Sequence, residues 1–504
     1  MSDTSQIDTQ TMIAKLNLAK QKYEVDNQIS SPKIQRVPNV LRQNAEFAKF
    51  CIPKMISFGP IHHSDRNLEQ GEHYKLLWTS MYVEEYGKQA NQVTDQVTHL
   101  LLKTVQDNIA ELKKLFTEDA IGTEITNKDL CLVLFVDGCS LLHFMENVDK
   151  QRPQALQLKL DQMMYIWRDI ILLENQLPRK LLELLCKKEA DLEHLMINFH
   201  SMGDIKRLSG LKFLHESKHR TIRIPGIAIP CMNKRETGSE QLTSNPEEMK
   251  VQVVSKHKPI HLLDYARTFV TSTSNDHADR NGKDVQNKQE GVELTKMANP
   301  DKSYGWLTYK NIRDLKTAGI HVKASKTDRW IWSSVSFASK LFYGELRLPM
   351  FMFDNVSPYF FRNLIAYEMC PDFRNSMECC SFFCFMDSLI DGGEDVKELR
   401  LAGVIQNLLG SDEELAKLFI DLGSHLPTKL FNNTWCTDAM AYSKNYTEVK
   451  NQIEKHYTNK WRTFGAATIN TYFSSPWSIL AFFAAAAALA LTATQTYYNV
   501  HPKH

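Results

Sequence analysis

The stretch CLVLFVDGCSLLHFM (131–145) is apolar on nearly every side. A helix that is hydrophobic all round belongs in the interior of a large protein rather than on its surface. It therefore predicts a central buried helix, and the neighbouring segments read as helices packed around it. Upstream, Val93, Val97, Leu100, Leu101, Val105, Ile109, Leu112 and Phe116 recur every three or four residues, giving one apolar stripe with a polar back. Downstream, MMYIWRDIILLENQLP (163–178) runs into Pro178, which should end one helix and seat the first turn of the next, RKLLELLCKK.

Further along, the pattern changes. Residues 232–303 are polar, rich in Asn, Ser, Lys and acids, and lack periodicity apart from one short helix, HLLDYARTFV (261–270). They read as a mobile insertion. GIHVKAS, SVSFASKLF and GELRLPMFMFD are short and β-rich, which predicts a small antiparallel sheet near 319–354. Helices are expected again in FFRNLIAYE, SFFCFMDSLI and VKELRLAGVIQNLL, and Ser411 with Glu414 forms a capping box opening another. The expected fold is mainly α: one large interleaved helical domain over 34–473 with a small antiparallel sheet, preceded by a disordered N-terminus, 1–33.

The C-terminal end stands apart. PWSILAFFAAAAALALTATQT (476–496) carries no charge and leaves only eight residues after it. About 20 uncharged, mainly apolar residues are long enough to cross a bilayer core as a helix. Trp477 at one border and Tyr497 and Tyr498 at the other suit the two interfaces. The expected transmembrane helix covers 474–498, followed by a short tail, 499–504. Lys450, Lys455, Lys460 and Arg462 precede it and only Lys503 follows, so the positive-inside rule places the body in the cytosol, on the plasma membrane or an endomembrane. Sequons at Asn355, Asn432 and Asn445 would favour the opposite side. Ala481, Ala485 and Ala488 put small side chains near one face, which permits two anchors to pair as a homo-oligomer; a lone Ala-rich span is the alternative.

The whole sequence, 43% hydrophobic and 24% charged, has the composition of an ordinary globular protein with a sizeable core. A formal net charge of +1 argues against nucleic-acid binding driven by overall charge. Ten cysteines are scattered without a CxxC pair, and Cys370, Cys379, Cys380 and Cys384 read as buried thiols among Phe and Met rather than a zinc site.

Nucleotide-loop, nucleophile-elbow and HExxH motifs are missing from the sequence. Three places concentrate polar groups. FGPIHHSDRNLEQGEHYK (58–75) holds His62 and His63 beside the Gly59-Pro60 turn, with Glu69 and His73 four apart on one helix face; zinc ligation is one reading, backbone hydrogen bonding the other. In LLENQLP (172–178), Glu174, Asn175 and Gln176 lie between two helices, where such side chains satisfy open backbone groups. The acidic run DSLIDGGEDV (387–396) lacks calcium-loop spacing and suits a helix N-terminus.

Taken in order, FGPIHH, VDGCS (Asp137, Gly138), LLENQLP, DLKTAGIHVK, LRLPMFMFD, FRNLIAYE (Asn363, Glu368), MDSLI…EDV and SPWSIL resemble the motifs of the plant domain of unknown function 247 family, from about Val37 to Tyr498. Ser64, Ser140 and Met369 depart from its usual residues. The resemblance implies a mainly helical plant protein with a C-terminal membrane helix. It implies no established activity, cofactor or site map. Some grass members are associated with self-incompatibility, which points to recognition. Two functional classes follow. The first is a membrane-tethered interaction or signalling protein with a protein partner, no catalysis, no cofactor and no metal. Its motif residues Gly59, Pro60, His62, His63, Asp137, Gly138, Glu174, Asn175, Gln176, Pro178, Asn363 and Glu368 would be structural. The second is an enzyme of unrecognised mechanism built on His62, His63, Glu69 and His73.

Overall fold

The computed structural model describes residues 9–28, 32–149, 152–202, 258–271, 311–325, 332–340, 343–424, 426, 443–458 and 476–500. Helix α1 (Thr9–Gln28) occupies most of the N-terminus expected to be disordered. Its Ala, Leu, Lys and Gln residues favour helix, and neither Gly nor Pro interrupts it. Its described side chains are all exposed.

The first core gathers around α2 (Glu69–Ala90), α3 (Thr94–Asp107) and α4 (Asn127–Asp149). Leu134, Leu142 and Phe144 of α4 are wholly buried, so the opening stretch is the central helix its composition predicts. The stripe on α3 is narrower than expected: Val97, Leu101 and Val105 are buried, whereas Val93 and Leu100 face solvent. Next come α5 (Leu160–Ile170), a single 3-10 turn (Leu173–Asn175), α6 (Arg179–Leu185) and α7 (Glu189–Met202). Pro178 stands at the N-cap of α6, where its missing N–H costs nothing.

Within the polar segment 232–303 the structure describes residues 258–271, which include α8 (Leu262–Thr271), as expected; the rest of that segment lies outside the described residues. The second core begins with α9 (Ile312–Thr317) and the strands β1 (Ile320–Ala324), β2 (Ser336–Ser339), β3 (Gly344–Leu348) and β4 (Phe351–Phe353). It is completed by α10 (Ser357–Glu368), α11 (Glu378–Asp387), α12 (Gly393–Leu401), β5 (Ile405–Asn407), α13 (Asp412–Ser424) and α14 (Lys444–Tyr457). Trp332 sits at its centre, its ring 4.9 Å from Phe382 and 5.3 Å from Phe383.

Two expectations are corrected here. The sheet is mixed, not antiparallel: in the order β1-β3-β2, β2 runs antiparallel to β3 but β1 runs parallel to it. Alternation fixes which side chains share a face, not which strand lies beside which. The helix expected through VKELRLAGVIQNLL ends at Leu401, because Gly403 adopts φ +72° and turns the chain into β5. Strand β5 then pairs in parallel with β4, the crossover being carried by α10, α11 and α12. Ser411 does cap α13, its hydroxyl accepting from the Glu414 N–H at 3.0 Å.

The two cores interleave. Residues 33–59 form a strap of irregular backbone and short turns that contributes Ile34, Ile56 and Phe58 to the first core and Val37, Leu41, Phe47 and Cys51 to the second. Helix α8 does the same, with Leu262 and Tyr265 in one and Leu263 and Val270 in the other. The last element, α15 (Pro476–Val500), is described as exposed from Leu480 to Tyr497, which includes Ala481, Ala485 and Ala488; the Trp477 side chain lies outside the described set.

Candidate functional site

Irregular backbone carries N–H groups that must find acceptors once buried. Along the strap, seven of those acceptor contacts are made by side chains from distant parts of the chain. Asp372 accepts from Lys33 N at 2.7 Å, and Glu174 Oε1 from Val37 N at 2.8 Å. Asp169 Oδ2 takes three successive groups, Lys54 N, Met55 N and Ile56 N, at 2.9, 2.6 and 3.1 Å. Asn175 Oδ1 accepts from Phe58 N at 2.6 Å, and Asp137 Oδ2 from Gly59 N at 2.7 Å.

The LLENQLP segment is the centre of this latch. Its 3-10 turn is too short to satisfy itself and directs Glu174, Asn175 and Gln176 inward. Asn175 Nδ2 donates to the carbonyls of Ile56 and Asp169 at 3.1 and 2.9 Å. Gln176 Nε2 donates to those of Ile170 and Leu172, both at 2.7 Å, while its Oε1 accepts from Leu263 N of α8 at 2.9 Å. Asn363 closes the other side: Oδ1 accepts from Leu173 N at 2.8 Å, and Nδ2 donates to Phe50 O and Tyr359 O. Every polar atom of these three amide side chains is engaged with backbone.

Charge is matched in the same way. Lys75 is wholly buried, with its ammonium 2.6 Å from Asp137 and 2.7 Å from Glu72. Burial alone would lower the Lys75 ammonium, but the two carboxylates hold it above its ordinary value. Burial pushes the Asp169 carboxyl up, against the opposing pull of Arg168 and its three backbone donors. In the second core, Glu368 Oε1 accepts from Arg267 Nε at 2.8 Å and Cys379 N at 3.0 Å, and Oε2 from Cys380 N at 2.8 Å. Its carboxylate thus occupies the open N-terminus of α11, where the helix dipole favours negative charge. Burial also pushes up the Cys379 and Cys380 thiols, as expected of unreactive core cysteines.

The histidine-rich stretch separates rather than converges. His62 turns inward, its Nε2 2.9 Å from Glu174 Oε2. The His63 Nδ1 atom is buried, without a hydrogen-bond partner among the described residues. Glu69 and His73 face solvent on α2. Among the described residues, no group of three His, Cys, Asp or Glu side chains is arranged to hold a metal. Gly59 adopts φ +74° with Gln176 O against it, Pro60 is buried beside it, and Gly138 lets α4 approach Leu181 and Leu185 of α6. Lys75, Asp169 and Arg267 also belong to the site, although none is among the residues expected from the sequence. A signal existed for the first: Lys75 falls on the inward face of α2 with Gly71, Trp78 and Thr79.

The latch therefore joins segments far apart in sequence that coincide with the ordered motif series. A family model described as plant protein of unknown function, DUF247, matches residues 34–491. The chain belongs to the DUF247 family. Among curated proteins it is similar to two from Arabidopsis thaliana. "UPF0481 protein At3g47200" is 24% identical over 459 residues, covering 88% of this chain and 81% of that protein. "Putative UPF0481 protein At3g02645" is 23% identical over 491 residues, covering 88% and 86%. No solved structure matches the chain. The DUF247 match starts at Ile34, where the strap enters by bonding Leu115 O at 2.8 Å, so it includes the latch from its second residue onward and leaves α1 outside.

Proposed function

We propose that this DUF247 protein is a membrane-tethered interaction component that recognises a protein partner through its body, without catalysis of its own. The observation that carries the reading is a contrast between two helices whose most apolar 18-residue stretches have equal mean hydropathy. Within α4, 89% of the most apolar 18-residue stretch is buried inside the protein, whereas none of Leu480–Tyr497 in α15 is buried. An exposed, uncharged helix of this length finds its favourable environment in a bilayer. Cytosolic placement of the body is supported by the basic residues preceding α15 and by the eight described cysteines, all free thiols, as suits a reducing compartment. The non-catalytic reading rests on the motif side chains being engaged with the protein's own backbone. Truncation before Pro476 is expected to move the body into the soluble fraction. If the truncated body still pelleted with membranes after a salt wash, the tether would lie elsewhere. Proximity labelling with the intact chain in plant cells then identifies the partner.

A second reading, an enzyme, draws on His62 and Glu174, which have the form of a base with an orienting carboxylate. The other Glu174 oxygen already holds Val37 N, and Glu69 and His73 face away, so the latch accounts for more of the geometry.

A further inference from the structure

Helix α8 is the only described element of the 232–303 segment, and it joins both cores through a cap of unusual chemistry. His261 occupies the N-cap position. Its Nδ1 accepts from the Asp264 N–H at 3.0 Å, and the Asp264 carboxylate returns the contact by accepting from Ile260 N at 3.0 Å. Ser, Thr, Asn or Asp normally serve as the acceptor; an imidazole nitrogen differs from all four in having an ordinary pKa near neutrality. His261 is fully buried, with its ring edge-on to Tyr367 at 4.9 Å, and its Nε2 has no hydrogen-bond partner among the described residues. Because Nδ1 is the acceptor, the resting imidazole is neutral with its proton on Nε2.

We propose that His261 is an acid-sensitive cap: a proton arriving at Nδ1 displaces the Asp264 N–H, uncaps α8 and loosens the helix that joins the two cores. The step is a simple protonation by solvent acid. It removes the acceptor that this N–H has among the described residues and places a positive charge at the positive end of the helix dipole, in a dry site. The surrounding charges offer little relief. Asp264 on the same helix favours the charged ring, but burial outweighs it and pulls His261 down to about 4. On α10, Tyr367 is neutral and Glu368 is already shared by Arg267 and the α11 backbone. On α11, Glu378 is held up by burial; on α6 and α7, Arg179 and Glu193 are paired to one another.

The sign follows. The unfolded or opened segment takes up a proton below pH 6.5, whereas the closed one resists until about pH 4. Closure of α8 should therefore weaken by about tenfold per pH unit across that interval. Hydrogen-exchange protection factors of 262–271, which divide out the intrinsic pH dependence of exchange, should fall in the wild type between pH 7 and 4.5. In His261→Asn, which caps without titrating, they should stay level. Flat protection in the wild type, or an equal fall in both proteins, would overturn the proposal. If His261→Asn does not fold at pH 7, His261→Ser carries the same comparison.

Discussion

The Lys75 ammonium lies 2.6 Å from the Asp137 carboxylate, and both side chains are shielded from solvent at the contact between α2 and α4. Asp137 also receives the Gly59 N–H, so this single carboxylate ties helix, helix and strap together. Breaking a buried pair from one side strands the other charge and costs about 3–5 kcal/mol. Lys75→Met should therefore lower unfolding stability by that order. Asp137→Asn added to it should recover part of the loss, because the stranded charge is gone while an acceptor for Gly59 remains. Urea titration of the wild type, the two single variants and the double variant measures the coupling; additive losses would show that the pair is not the organising contact.

Gly71 tests how closely the strap lies on α2. A methyl group there would collide with the Met55 carbonyl oxygen and come within 2.9 Å of the Ile56 Cα, both backbone atoms that cannot rotate away. Gly71→Ala should cost about 1–3 kcal/mol as overpacking. It should also speed protease cleavage within 50–60 more than elsewhere. Since Ala ordinarily stabilises a helix interior relative to Gly, an unchanged or raised melting temperature would contradict the packing described.

His62→Ala removes the partner of Glu174 Oε2 and should destabilise by about 1–3 kcal/mol, the usual cost of leaving a buried polar group unsatisfied. The purified body is expected to carry no stoichiometric zinc before or after the change. Elemental analysis giving one zinc per wild-type chain, lost in the His62→Ala, His63→Ala double variant, would reverse the ranking of the two functional readings.

Arg267 and Glu368 should behave as a unit. Glu368→Gln keeps an acceptor for one α11 N–H but gives up the charge that faces Arg267, while Arg267→Met leaves the carboxylate in place. A double-mutant cycle is expected to return about 1–3 kcal/mol of coupling. Coupling near zero would mean that the helix cap, not the ion pair, is what Glu368 supplies.

Much of this architecture was legible from the order of residues. The all-apolar face of 131–145 foretold a buried helix, Pro178 foretold a helix start, and Ser411 foretold a cap, because each depends on neighbours within a few residues. The polar clusters in LLENQLP and GPIHH were also recognisable as places where backbone needs partners. Their pairings were not. Glu174 meets His62 and Val37, and Asn363 meets Leu173, across more than a hundred residues of intervening chain.

The sequence by itself determined the helical class, the family and the apolar C-terminal segment, since composition and local periodicity are properties of the chain alone. Only the tertiary structure decided that β1 lies parallel to β3, that Asp169 gathers three strap N–H groups, and that equally apolar stretches of α4 and α15 differ in burial. Each of these depends on which distant surface a segment meets. A hydrogen bond or an apolar contact gains free energy from the partner and the water it excludes, and the identity of that partner is not written in the residues beside it.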